Sequence, residues 1–258
     1  MTRAVSNLSR LPRLAAPAEA PLYKEVRRSL LQCLAKGEWK PGERLPAEPE
    51  LAARFGVAIP TVRAGVSNLV DAGVLIRRQG KGTFVARHDS TAQEFRFSNI
   101  LNARNENIST RRTNVTKRKV KADADIARLF GAELGDAGLV YRIDAVLEAD
   151  AKPAGLMDLR LPLPLFAKLA KGDLEQSADN LYSVYQRVCG VTVLRMEERV
   201  YSRTADKDLA KALQVKIGHP IMVVDRLAYT FDDRPVEIRR RYFEGHEHQY
   251  SFTHNRLD

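Results

Sequence analysis

Residues 47–85 read AEPELAARFGVAIPTVRAGVSNLVDAGVLIRRQGKGTFV, and their glycines and prolines divide them into elements. Leu51, Ala52 and Phe55 recur at helical spacing over Ala47–Phe55, and Gly56 stops that helix in a tight turn through Val57. Pro60 opens the next helix, where its missing N–H costs little, and Val62, Val66, Leu69 and Val70 form one buried face up to Ala72. Gly73 ends it. Val74–Ile76 and Thr83–Val85 then flank Arg77-Arg78-Gln79-Gly80-Lys81-Gly82, which predicts a β-hairpin with a basic, glycine-bearing tip. Upstream, Leu22, Val26, Leu30 and Leu34, with Cys33 beside them, line one face of a helix between Pro21 and Gly37.

Helix, helix, turn, helix, hairpin is the order of a winged helix-turn-helix, here over residues 21–87. In that arrangement the third helix enters a major groove by its N-terminal end and the hairpin reaches beside it. Thr61 and Arg63 fall in the first turn, away from Val62 and Val66. An arginine there can fork onto a guanine, and a threonine hydroxyl can hold a phosphate or a base edge. At the hairpin tip glycines let the backbone approach a phosphate, and Lys81 supplies charge. The same residues also fit a protein-contact hairpin with a solvated basic surface. A phosphate-cradling P-loop is excluded, because Leu75 stands where its first glycine belongs and Phe84-Val85 reads as strand rather than helix.

The chain has 258 residues, room for two ordinary domains, and its 44% hydrophobic and 29% charged residues exclude a disordered or fibrous class. No apolar run is long enough to span a membrane, and Cys33 and Cys189 cannot build a disulfide framework, which suits a reducing cytosol. Net charge is +10, and its placement is informative: residues 1–88 hold 15 Lys+Arg against 7 Asp+Glu, the remainder 27 against 25. A basic first third beside a near-neutral remainder is the footprint of a nucleic-acid-binding module with a partner domain. Residues 1–20, with three arginines and Pro12 and Pro17, read as a disordered basic tail rather than a transit peptide. Residues 88–94 (HDSTAQE) read as the linker.

The first domain resembles the DNA-binding domain of the GntR family of bacterial transcription regulators. The motifs that carry the likeness are Pro21-Leu22-Tyr23, Pro41-Gly42-Glu43-Arg44-Leu45-Pro46, Glu48 with Glu50-Leu51-Ala52, Phe55-Gly56-Val57, Thr61-Val62-Arg63 and Gln79-Gly80-Lys81-Gly82-Thr83-Phe84-Val85. The resemblance implies DNA contacts from Arg44, Thr61, Arg63, Gln79, Gly80, Lys81, Gly82 and Thr83. Two places depart from it: Pro49 stands where an arginine is common, and Ala58-Ile59 where Ser-Arg is common.

From residue 95 to about 250 the strand pattern dominates. Strands are expected at 114–121, 139–147, 154–161, 191–201, 221–231 and 235–243, with helices at 124–130, 163–170, 181–188 and 206–213. Asp150–Pro153 and Asp232–Pro235 read as hairpin connections. This is an α+β domain on an antiparallel sheet, so the expected fold is a winged helix-turn-helix followed by an α+β domain. Catalytic signals are missing: there is no G-x-S-x-G elbow, Cys189 has no histidine nearby in sequence, and Glu197 and Glu198 fall on opposite strand faces. Of the histidines His88, His219, His246, His248 and His254, His246 and His248 alternate, yet no third ligand follows at a recognisable spacing, so no metal or other cofactor is expected.

This half resembles the UTRA ligand-binding domain of the HutC-type branch of the same family, which is similar in fold to chorismate lyase. The likeness rests on Val140-Tyr141-Arg142, the Pro153 to Pro162 spacing, Leu181-Tyr182 opening a helix that ends at Cys189-Gly190, Asp225-Arg226, and Arg234-Pro235-Val236-Glu237. In sugar-responsive members two arginines and a glutamate hold the effector, and their places here are Ala145, Leu147 and Met157. Asn180, Tyr182, Arg226 and Glu237 are the effector-site candidates. With that clamp gone, the reading expects a largely apolar or aromatic effector, with Arg142, Arg199 or Arg226 the residues from which an anion site could re-form. The whole implies a ligand-responsive repressor, not an enzyme, working as a homodimer on double-stranded palindromic DNA in the bacterial cytoplasm, away from any membrane. A chorismate-lyase-like enzyme carried on a DNA-binding domain is the alternative.

Overall fold

The computed structural model of the chain describes residues 21–88, 100–176 and 181–251. The chain divides into two compact units, one made of the residues up to Arg87 with Phe231–Asp233, the other of His88–Thr230 and the residues from Arg234 on. The expected basic tail and linker residues 89–94 lie outside the described residues.

In the first unit α1 (Leu22–Ala35), α2 (Glu48–Phe55) and α3 (Ile59–Asp71) precede the hairpin β1 (Leu75–Arg78) and β2 (Gly82–Val85). Val26, Leu30, Leu34, Leu51, Ala52, Val62, Val66 and Leu69 are buried as the periodicity predicts, whereas Cys33, Phe55 and Val70 are half-buried and Leu22, in the first turn of α1, is exposed. Gly56 takes the left-handed backbone (φ 66°) that closes α2 and turns the chain into α3. Gly65 lets α1 and α3 approach: a Cβ there would lie 3.0 Å from Val26 Cγ1 and 3.1 Å from the Tyr23 carbonyl. The segment before α2 adds a third element to the wing, for Arg44 bridges Phe84 and the Leu45 N–H donates to the Thr83 carbonyl at 2.8 Å.

The second unit is a six-stranded antiparallel sheet in the order β4-β5-β6-β9-β8-β7. Its strands are β4 (Arg111–Lys121), β5 (Leu139–Ala149), β6 (Lys152–Pro162), β7 (Arg195–Thr204), β8 (Pro220–Tyr229) and β9 (Pro235–Glu244). Short strands β3 (Ile100–Asn102) and β10 (His248–Tyr250) pair separately. Helices α4 (Ala124–Phe130), α5 (Lys171–Gln176), α6 (Leu181–Val184, continued by a π turn to Cys189) and α7 (Lys207–Leu213) complete it. One sheet face packs Ile143, Ala145, Leu147, Met157 and Leu159 against Phe166, Leu174, Tyr182 and Tyr185. The other face receives α7 through Leu209 and Leu213 on Ile221 and Val223.

Two expected elements change. Residues 163–170 are turns rather than helix, because Pro162 and Pro164 withhold backbone donors; Phe166 and Leu169 make only local bonds, and the helix begins at Lys171. The strand expected from Val191 starts at Arg195: the Val191 N–H turns back to the Tyr185 carbonyl at 3.1 Å, and the chain reaches the sheet at Leu194, whose N–H donates to the Tyr229 carbonyl at 2.9 Å. His88, where the linker is expected to open, is buried in the second unit, its N–H donating to Gln186 Oε1 at 3.1 Å.

Candidate DNA interface and effector site

The α3 N-terminus has no side-chain cap; Pro60 has no N–H and the Thr61 N–H is taken by the Ala58 carbonyl at 3.0 Å, so the positive end of the helix dipole is what this turn offers a phosphate. Arg63 projects from that turn with its side chain 61% exposed. In the free protein Glu48 of α2 holds it, Arg63 Nε donating at 2.8 Å, and the same carboxylate accepts from Arg77 Nη2 of β1 at 3.2 Å. Both arginines are thus gathered beside the groove between helix and wing, a cavity of about 390 Å³ that Arg44, Gln79, Gly80, Gly82 and Thr83 also line. Gly80 (φ 68°) and Gly82 (φ 109°) shape the tip, and a Cβ at Gly82 would strike the Arg44 guanidinium at 2.8 Å. Lys81 is exposed at the tip. Of the expected DNA contacts, Arg44, Gln79, Gly80, Gly82 and Thr83 line that groove, Lys81 is exposed at the tip and Arg63 is tied to the groove residue Glu48, while Thr61 is half-buried and does not line it.

The second site is a buried ion network on the helix-packed sheet face. β9 alternates Glu237, Arg239 and Arg241 onto that face, and β8 and β7 add Arg226 and Glu198, which pair directly in register. Glu237 is completely buried and accepts from Tyr182 (3.2 Å), Tyr185 (2.8 Å) and Arg239 Nη2 (2.6 Å). Arg226, 1% exposed, donates from Nε to Glu198 Oε1 at 2.8 Å and from Nη1 to the Tyr182 hydroxyl at 3.2 Å. Arg241 reaches the same Glu198 oxygen at 3.3 Å, and the Tyr250 hydroxyl of β10 donates to the other. Three buried arginines thus face two buried glutamates, and the Nε groups of Arg239 and Arg241 are buried without a hydrogen-bond partner among the described residues.

The electrostatics follow that imbalance. Glu198 is held down to about 2 against its own burial by Arg226 and Arg241 and by the Tyr250 hydrogen bond. Arg241 is pushed down to about 9 by burial and by the charges of Arg226 and Arg239. Burial also raises the Tyr182 and Tyr185 phenols, which stay protonated as donors. Arg226 and Arg239 are held charged by their partners, so an added negative charge would chiefly relieve Arg241.

Residues 22–85 match the model for bacterial regulatory proteins of the gntR family, and residues 106–249 match the UTRA domain. The chain belongs to the GntR family. It is similar to the HTH-type transcriptional regulator Rv0792c of Mycobacterium tuberculosis, 30% identical over 95% of this chain and 88% of that one. It is also similar to the HTH-type transcriptional repressor NagR of Bacillus subtilis, 24% identical over 91% of this chain and 94% of that one. Among solved structures, the ligand-binding domain of a GntR-family regulator from Bordetella bronchiseptica superposes with a TM-score of 0.55 at 29% identity, covering 62% of this chain and 98% of that one. This GntR-family chain is a DNA-binding, ligand-responsive transcription regulator, and the enzyme alternative falls.

In this regulator Tyr182, Arg226 and Glu237 come together as one hydrogen-bonded set, while Asn180 lies outside the described residues. Arg142 points to the opposite sheet face, where it pairs with Asp144 (3.2 Å) and Asp158 (3.6 Å); Arg199, out of phase with Glu198, shares that face. Ala145 and Met157 do stand side by side, but the next residue in their cross-strand row is Arg241. The guanidinium absent from β5 reappears two strands away, roughly 10 Å at ordinary strand spacing. Arg239 and Arg241 escaped the sequence reading because Arg239-Arg240-Arg241 looks like a solvated run. The available signal was phase: two and four residues after Glu237, they must share its face.

Proposed function

We propose that the chain represses transcription as a homodimer on a palindromic operator and is released by a small effector bearing an anionic group. The observation that carries the effector class is the buried arginine triplet, whose three charges exceed its two glutamates and two of whose Nε–H donors have no acceptor among the described residues, because a buried donor left unsatisfied is costly and an anion supplies the acceptor. That replaces the expectation of an apolar effector drawn from Ala145, Leu147 and Met157. Those residues instead give the site an apolar wall beside the charged floor. The name of the Bacillus subtilis relative supports repression. In this proposal two winged helices read half-sites about one helical turn apart, with Thr61 and Arg63 at bases and Arg44, Gln79, Gly80, Lys81, Gly82 and Thr83 at the backbone and minor groove. The cytoplasm, where the chromosome lies, is the place of action; no described helix is long and apolar enough to cross a membrane.

His88 supports a route between the sites. It is the first residue of the second unit and buried there, with its ring 6.3 Å from the Tyr182 ring. An effector that moves Tyr182 moves the anchor from which the chain leads back to the DNA-binding unit. The test is a thermal-shift panel of inorganic phosphate, sugar phosphates and aromatic carboxylates against uncharged aromatic compounds. A ligand at about 100 times its Kd stabilises by about 2.7 kcal/mol, a shift of several degrees. Stabilisation by members of the anionic set, lost in Arg241→Gln, is the expected result. Stabilisation confined to the uncharged set would overturn the effector class.

A further inference from the structure

We propose that His219, Glu244 and His246 form a binding site for a first-row divalent transition metal, zinc foremost. The sequence pairs His246 with His248 and finds no third ligand, but the sheet supplies a different partner. In the β8–β9 register Ile221 stands opposite Glu244, so His219, just before β8, meets the end of β9. The Gly245 N–H donates to the Pro220 carbonyl at 3.0 Å, and a Cβ at Gly245 would come within 2.9 Å of that oxygen, so the turn carrying His246 is pressed against the residue after His219. The result is an imidazole–carboxylate–imidazole set. His219 Nε2 contacts Glu244 Oε1, His246 Nδ1 lies 3.8 Å from the same oxygen, and the two rings meet edge-on with centroids 4.7 Å apart. The three ligand atoms all lie within 4.8 Å of one another.

Those separations suit a metal. Ligand atoms 2.0–2.2 Å from a tetrahedral zinc lie roughly 3.3 Å apart, so rotation of the exposed His246 side chain closes the set. Two imidazoles and one carboxylate leave the fourth position to water or to a group on another molecule, and this donor mixture selects zinc, nickel, cobalt or copper over magnesium or calcium. The carboxylate is already oriented by neighbours: the His246 N–H donates to Oε1 at 3.0 Å and the Glu247 N–H to Oε2 at 2.5 Å. His248 is turned away from the set, its Nδ1 on the Glu244 carbonyl at 3.0 Å. With His246 68% exposed, His219 22% and Glu244 12%, an ion has an open approach.

The site bears on regulation through position. Four residues after His246, Tyr250 of β10 donates to Glu198 inside the arginine network. A metal that immobilises the 244–248 turn therefore also steadies one partner of the effector site.

The test uses the full chain freed of metal by chelator and titrated with zinc chloride in a calorimeter, with cobalt(II) absorption as the geometric probe. One zinc per chain is expected, with a tetrahedral cobalt spectrum. His246→Ala, whose side chain is exposed, should weaken binding at least tenfold and abolish that spectrum, and His219→Ala should do the same. His248→Ala should retain both. Absence of saturable binding at one ion per chain would overturn the proposal, as would unchanged binding in His246→Ala or loss of binding only in His248→Ala.

Discussion

Glu237→Gln is expected to cost about 3–5 kcal/mol of second-unit stability, the loss typical of removing one partner from a buried ion pair. The substitution keeps volume and shape but strips the charge from the centre of the network. Arg239, 8% exposed, would then be a buried cation facing only dipoles, beside Arg226 and Arg241 of like charge. Trp39, the single tryptophan, lies in the first unit, so its fluorescence gives an internal control. Urea titration followed by far-UV circular dichroism should show the sheet transition moving to markedly lower denaturant, while the Trp39 transition stays in place. A loss below about 1 kcal/mol would contradict the burial of this pair. An anionic ligand should restore part of the loss, since it removes the repulsion that Glu237 normally balances.

Arg63→Ala should weaken operator binding by about 1–3 kcal/mol, roughly 5- to 150-fold, and relax the preference at one base position. Stability should barely change, because its pair with Glu48 is largely exposed. Glu48→Gln should act in the opposite direction. That variant frees both Arg63 and Arg77 and removes a negative charge from the surface facing phosphates, so affinity for unrelated DNA should rise severalfold and the salt dependence should steepen. Fluorescence-anisotropy titrations at two salt concentrations measure both. Unchanged operator affinity in Arg63→Ala would remove α3 from the reading head.

These expectations show where the sequence is readable. The first unit is legible almost residue by residue because local signals agree: Gly56 demands left-handed backbone, Pro60 opens a helix, and Val62, Val66 and Leu69 repeat at helical spacing over a short, local fold. In the second unit the long strands are legible through alternation, but their spatial order is not. β6 pairs with β9, across some 80 residues of chain, and nothing local announces it. Strands of three residues such as β3 and β10 carry too few positions to alternate. The buried ion network is half legible for the same reason. Tyr182, Arg226 and Glu237 could be named one at a time, whereas Glu198 and Arg241 acquire meaning only when β7, β8 and β9 lie side by side. A buried arginine reads like an exposed one until its strand neighbours are known.

The arginine network and the DNA-binding unit are proposed to be coupled, and one measurement in a single cuvette joins them. The operator, recovered by selecting genomic fragments on the full chain, carries a fluorophore, and anisotropy follows its release as the anion identified by thermal shift is added. Wild-type chain should leave the operator as the ligand saturates, while Arg241→Gln binds the same DNA and stays on it at that concentration. Equal release of the Arg241→Gln chain, or release by an uncharged aromatic compound and by no anion, would contradict coupling of the arginine network to DNA.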